Sequence, residues 1–350
     1  QIRNGIKISL RRNGKEDFDF VKLVDFDRPE NNTFTAVSQM WIQGRVYWRR
    51  PDVLIFINGL PMVFVELKNS IVKVEEAYND NLKNYLRDIP NLFALNQICV
   101  LSNGLETRLG AFNATYNHFF EWLKVDSEKE RPDRQALKEA GTVGESSVRY
   151  FIDGLLQKGR LIDYIENFIM FRNQKNKIIA KNHQYFGVNN LMESVKNRAE
   201  LQGKLGVFWH TQGSGKSFSM VFFVRKVRRK ISGNFTFLII TDREDLDDQI
   251  HKNFVKTEVI GQKEECQPKN GKQLRDYLQT NKSFIFTLIH KFRYDKGKKY
   301  PVLSTRDDII VLVDEAHRTQ YKDLAENMRT ALPNANYIAF TGPRCWAASA

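Results

Sequence analysis

Two groups of residues in this 350-residue chain have types and spacings suited to chemistry on phosphate esters. The first runs His210-Thr211-Gln212-Gly213-Ser214-Gly215-Lys216-Ser217, between an apolar strand pattern and a helical one. Its glycines let backbone N–H groups turn inward on phosphate oxygens, and the helix that follows offers its positive end. Thr211, Gly213, Ser214 and Gly215 then make the cradle, Lys216 reaches the outer phosphates, and Ser217 is the expected Mg²⁺ ligand. His210 stands where the strict form of such a loop carries glycine. Downstream, Val311-Leu312-Val313-Asp314-Glu315-Ala316-His317 ends an apolar strand in carboxylates. Asp314 could hold Mg²⁺ through water, and Glu315 could orient the water that attacks a γ-phosphate. Together the two elements predict nucleoside triphosphate binding.

The second group is Asp52, Glu66 and Lys68. Asp52-Val53-Leu54-Ile55-Phe56-Ile57, then Asn58-Gly59, then Met62 to Lys68 reads as a hairpin, since Asn-Gly takes the positive φ angles of a type I′ turn. Residues 66 and 68 share a strand face, and pairing through the turn brings Asp52 near it. Two carboxylates beside a lysine suit Mg²⁺-dependent phosphodiester hydrolysis, with Asp52 and Glu66 on the metal and Lys68 positioning or deprotonating the nucleophile. The competing reading is a salt-paired edge strand. Just upstream, Arg45-Val46-Tyr47-Trp48-Arg49-Arg50 interleaves cations with aromatics, and fits either a track for a DNA backbone or an edge strand with a solvated face. Arg225-Lys226-Val227-Arg228-Arg229-Lys230 reads as a solvated helix face.

These residues need a scaffold, and the hydrophobic patterning supplies one. Residues 1 to about 118 alternate short apolar runs with turn signals, which predicts an α+β module with a helix over 73–87 (Ala77, Tyr78, Leu82, Tyr85) and a strand at Ile98-Cys99-Val100-Leu101. Lys124 to Ser147 is charged and weakly apolar, as in a linker, and helices are expected over 148–171. After His183, strands at 206–209, 235–241, 284–288, 309–313 and 337–341 are separated by helical segments, which implies a parallel sheet with ligands at its carboxyl ends. A chain of this length fits two or three domains. Its net charge of +13 favours a polyanionic partner. Cys99, Cys266 and Cys345 give neither a disulfide framework nor metal spacing, no apolar run approaches the ~20 residues a bilayer requires, and no signal peptide is visible, so a cytoplasmic protein with no membrane partner is expected.

Residues 183 to 342 resemble superfamily 2 helicases of the DEAH-box kind, through the Gln184 region, the phosphate loop, Thr241-Asp242-Arg243, Asp314-Glu315-Ala316-His317 and Ala339-Phe340-Thr341-Gly342. The resemblance implies ATP as the nucleotide, with Gln184 on adenine, and His317 and Thr341 relaying hydrolysis to DNA. Pro51-Asp52 with Glu66-Leu67-Lys68 resembles the PD-(D/E)xK nucleases. The combination, with Asn81-Leu82-Lys83-Asn84-Tyr85, resembles the restriction subunit of type I restriction-modification enzymes, in which Asn81 stands where that family carries glutamine. It implies an α/β protein: a mixed-sheet restriction-endonuclease-like domain (1–120), a linker with connecting helices (121–160) and a parallel-sheet RecA-like P-loop domain (161–350). Implied partners are double-stranded DNA and the methyltransferase and specificity subunits. The family continues Thr-Gly-Thr-Pro where this sequence reads Thr341-Gly342-Pro343-Arg344, and its second RecA-like domain is expected to be absent, so the polypeptide should bind ATP better than it turns it over. The rival readings are a DNA-repair helicase-nuclease without methyltransferase partners and a non-catalytic DNA- or nucleotide-binding module.

Overall fold

The computed structural model describes residues 2–12, 15–127, 129–130, 146–209, 211, 213–294, 298–314 and 322–342. Two compact units, Gln1–Tyr185 and Phe186–Ala350, divide the chain.

In the first unit, β1 (Ile6–Arg12) and β2 (Lys15–Val21) form an antiparallel ribbon, and β4 (Ile42–Gln43) and β5 (Trp48–Arg49) form another. The main sheet contains β3 (Phe34–Ser38), β6 (Val53–Ile57), β7 (Leu60–Leu67), β8 (Ile98–Ser102), β9 (Thr107–Gly110) and β10 (Phe120–Glu121), in the order β10-β9-β8-β7-β6-β3. The expected β6–β7 hairpin forms: Asn58 and Gly59 have φ of 51° and 77°, the signs a type I′ turn needs. The Asn58 side chain secures the turn by donating to the Leu23 carbonyl at 2.9 Å while its own Oδ1 accepts from Thr33 N–H at 2.8 Å. β7 and β8 run parallel, so the chain must cross over between them, and helical residues 74–88 make that crossing. β8 is buried along its whole length. That explains why it reads as an unbroken apolar run rather than an alternating one. Leu54, Phe64, Ala77, Leu82, Phe93 and Leu101 pack between helix and sheet.

The crossing helix is not uniform. Val74–Glu76 and Lys83–Asp88 are α-helical, but Ala77–Leu82 is a π-helical segment, with the Lys83 N–H donating to the carbonyl of Tyr78 five residues back. The helical reading of 148–171 also needs correction. Helices occupy Ser147–Leu155 and Lys158–Asn167, after which β11 (Ile169–Arg172) pairs with β12 (Asn176–Ile179). The turn between these strands contains Asn173 and Gln174 at φ of 53° and 57°, a hairpin made without glycine.

The second unit is a five-stranded parallel sheet of β13 (Lys204–Trp209), β14 (Thr236–Thr241), β15 (Phe284–Leu288), β16 (Ile309–Asp314) and β17 (Asn336–Thr341), ordered β13-β17-β16-β14-β15. Helices Lys216–Lys230, Glu244–Lys256, Gly271–Gln279 and Lys322–Ala331 connect the strands. This is the expected α/β alternation, and every loop that leaves a strand's carboxyl end emerges on the same edge of the sheet. Among the described residues no helix is long and apolar enough to cross a membrane.

Candidate functional site

Hairpin register places the nuclease-type residues. Val53 pairs with Val65, so the next step outward sets Asp52 beside Glu66. The Leu67 N–H donates to Asp52 Oδ2 at 2.8 Å, fixing that carboxylate, and the Lys68 N–H donates to the Ser102 carbonyl at 2.7 Å, extending the β7–β8 ladder through Lys68. Glu66 is 3% exposed, yet its Oε2 is buried with no hydrogen-bond partner. Burial, reinforced by the negative charge of Asp52 and opposed by Lys68, pushes the Glu66 carboxyl up to about 8. Such a group is unfavourable as an ionised ornament of a hairpin, and it suits a cation. Among the described residues no cluster of three or more His, Cys, Asp and Glu forms. Two carboxylates nevertheless fit Mg²⁺, which commonly keeps waters and takes substrate phosphate oxygens as further ligands.

Asn81 and Tyr85 come from the crossing helix. The Asn81 side-chain amide donates to Glu66 Oε1, and the Tyr85 hydroxyl donates to the Arg50 carbonyl at 3.2 Å. Burial, joined by the charge of Glu66, raises the Tyr85 phenol to about 12. Asn81, which stands where the resembled family carries glutamine, thus meets Glu66 from within the π-helical segment.

The phosphate loop lies in the second unit. Gly213 and Gly215 have φ of 77° and 90°, and Gly215 stands at the N-cap of helix Lys216–Lys230, so both positions favour glycine. The Ser214 N–H donates to the Thr211 carbonyl at 3.2 Å. Lys216 Nζ lies 3.7 Å from Oδ1 of Asp314, the last residue of β16. Ser217 Oγ accepts from Asn253 Nδ2 at 3.1 Å, a partner on helix Glu244–Lys256 that no motif signalled. Lys216 and Asp314 thus meet at the carboxyl edge of the sheet, and Ser217 follows on the same loop-to-helix turn. Thr341 ends β17, between them in strand order. Glu315 and His317 lie outside the described residues, as do His210 and Gln212. Gln184 is a buried residue of the first unit whose Oε1 accepts from the Lys181 N–H at 2.9 Å.

Both halves have counterparts among known proteins. Residues 1–118 match the type I restriction enzyme R protein N terminus, and residues 183–345 match the SWI2/SNF2 ATPase family. Over 367 residues the chain is 35% identical to the type I restriction enzyme HindI endonuclease subunit of Haemophilus influenzae, covering 97% of this chain and 34% of that one. Over 97% of its length the chain is thus similar to the endonuclease subunits of type I restriction enzymes. A Staphylococcus aureus relative, the type I restriction enzyme SauCOLORF180P endonuclease subunit, is 26% identical over 343 residues, covering 96% of this chain and 34% of the relative. The chain spans about a third of the length of these curated relatives.

The basic segments of the chain behave differently from each other. Arg49 is ion-paired with Asp88, and hydrogen bonds from Arg87 and then Arg49 hold the Asp88 carboxyl down to about 2. Arg45 and Arg50 stay exposed. The 225–230 stretch is only partly the solvated face expected of it. Lys226 is buried and donates to Asn189 Oδ1 at 2.5 Å, whereas Arg228 and Arg229 are exposed. The reason is packing, since neighbouring Phe222, Phe223, Val224 and Val227 are all fully buried and only the last turn clears the core.

Proposed function

We propose that the chain is part of the restriction subunit of a type I restriction-modification system, coupling ATP-dependent DNA translocation to Mg²⁺-dependent cleavage of double-stranded DNA. The observation that carries this reading is Glu66: a buried carboxylate with an open oxygen, placed beside Asp52 and Lys68 in a chain similar to these endonuclease subunits. Residues 1–120 would form the nuclease domain, 121–160 the linker and connecting helices, and 161–350 the first RecA-like motor domain.

In the nuclease domain Asp52 and Glu66 would hold Mg²⁺, which supplies charge neutralisation at the phosphate and a more acidic water. Asn81 orients Glu66, the Leu67 N–H orients Asp52, and Lys68 positions or deprotonates the nucleophile. In the motor, Thr211, Gly213, Ser214 and Gly215 would cradle the ATP phosphates, with Lys216 neutralising the outer ones. Ser217 and Asp314 would hold the second Mg²⁺, Glu315 would align water, Gln184 would meet adenine, and His317 and Thr341 would relay hydrolysis to DNA. Methyltransferase and specificity subunits would supply target choice and anchoring.

The test is to introduce Lys68→Ala and Lys216→Ala separately into the full restriction subunit, reconstitute it with those partners, and assay ATPase and cleavage. We expect Lys68→Ala to abolish cutting and spare ATPase, and Lys216→Ala to abolish both. Cutting by Lys68→Ala at the parent rate would remove the nuclease assignment.

A further inference from the structure

Between β3 and Asp52 the chain makes an excursion, Gln39–Arg50, that the nuclease reading leaves without a task. The excursion is closed at its base, where the Gln39 N–H donates to the Asp52 carbonyl at 2.9 Å. It is also fastened to the crossing helix. Gly44 lies so close to that helix that a Cβ there would meet the Asp88 carbonyl oxygen at 2.2 Å, Arg49 is ion-paired with Asp88, and Arg50 offers its carbonyl to the Tyr85 hydroxyl. The backbone is therefore held at several points, while the large rings point away from it: Trp41, Tyr47 and Trp48 are 59%, 55% and 56% exposed. Folding gains little from rings held in water, and a soluble surface seldom gathers three in so short a segment without a use for them. The same segment has three arginines and no Asp or Glu, and the Arg50 guanidinium sits 5.1 Å from the centre of the Trp41 ring.

We propose that this ribbon is a stacking platform for single-stranded DNA beside the scissile phosphate. Unpaired bases lie on Trp41, Tyr47 and Trp48, and Arg45 and Arg50 face the phosphates. The inference rests on the nuclease reading for its position, two residues from Asp52. Stacking suits a nuclease of this kind because every base has a π face, so the grip does not depend on sequence. Trp, Tyr and Arg also serve protein interfaces, but the uniform positive charge and the direct continuity with Asp52 favour a polyanion. On this view the duplex is frayed over a few bases before the strand reaches Glu66.

The experiment uses the 350-residue chain, a dT oligonucleotide carrying one 5-iododeoxyuridine, and a matched blunt duplex. Trp41→Ala and Trp48→Ala remove exposed rings, so folding is retained and checked by circular dichroism; Trp48→Phe keeps an aromatic face. We expect each alanine variant to lose about tenfold in dT affinity and the phenylalanine variant to keep most of it. Duplex affinity should be unchanged, and photocrosslinks should map to the 41–48 peptide. Unchanged dT affinity, or crosslinks confined to other peptides, overturns the proposal. So does a loss restricted to binding of the methyltransferase and specificity subunits, which would make the ribbon a protein-docking surface. Asp52→Ala separates the two claims: in the reconstituted enzyme it should stop cutting, while the isolated chain keeps its dT affinity. If Asp52→Ala still cuts, the nuclease reading fails and the measured stacking stands or falls by itself.

Discussion

At Glu66, burial and the neighbouring Asp52 favour the protonated acid, Lys68 opposes them, and a bound cation would favour the carboxylate. Because the folded-state value, about 8, is raised above the ordinary carboxylate range, the fold binds more protons than the unfolded chain between the two. The stabilising contribution is therefore full below the ordinary carboxylate value and is lost as pH rises toward about 8. Without metal, the melting temperature of the first unit should fall over that window, and Glu66→Gln should flatten the slope. Mg²⁺ binding should release a proton in the same window, so its apparent affinity should increase with pH when followed by calorimetry in buffers of different ionisation enthalpy. A pH-independent Mg²⁺ affinity would remove Glu66 as a ligand. The sequence showed the hairpin that carries Asp52, Glu66 and Lys68, but the two-residue turn alone would set Asp52 opposite Val65; a bulge between Ile55 and Phe56 shifts the register by one and brings Asp52 beside Glu66, and no residue pattern marked it. The Asn81–Glu66 contact was not legible either, since it depends on how many residues the helix fits into one turn.

That turn is decided at the level of the element. The π turn stretches one buried step to five residues, Ala77 to Leu82, but Tyr78 stands four before Leu82 and keeps an ordinary helical spacing, so the pattern over 73–87 announced a helix without its wide turn. Deleting Asn79, an exposed residue inside the segment, should restore α geometry and leave the buried residues Val74, Ala77, Leu82 and Tyr85 spaced by three, four and three residues, so both flanks keep their seats in the core. What is lost is the wide turn that presents Asn81 to Glu66. Mg²⁺ affinity and cleavage should therefore drop by at least about tenfold while the fold of the first unit and nucleotide binding by the second are kept. Retained Mg²⁺ affinity would mean that the wide turn does not position Asn81. The β11–β12 hairpin escaped the sequence for a related reason. Its first strand continues the apolar run of the preceding helix, and its turn uses Asn173-Gln174, which carries no glycine to mark it.

Across the whole molecule, alternation anticipated an α+β module followed by a parallel sheet, composition a basic chain, and the family resemblance the mixed sheet. They could not give strand order, which is set by contacts between segments far apart in sequence. A net charge of +13 predicts that duplex affinity falls steeply with salt, by about a hundredfold or more between roughly 50 and 200 mM NaCl if several phosphates are contacted. A shallow dependence, measured by anisotropy, would mean that this charge is spent on solubility.

Strand order also has a consequence in time. In the main sheet of the first unit most neighbouring strands follow closely along the chain, and the hairpin that aligns Asp52 with Glu66 can close soon after it leaves the ribosome. In the second unit β13 leads into the phosphate loop, but its neighbour in the sheet is β17, the last of the five strands to be made. During synthesis the strand that carries the phosphate loop waits unpaired at the sheet edge for its partner, so each new chain brings Asp52 and Glu66 together before it completes the sheet around Lys216.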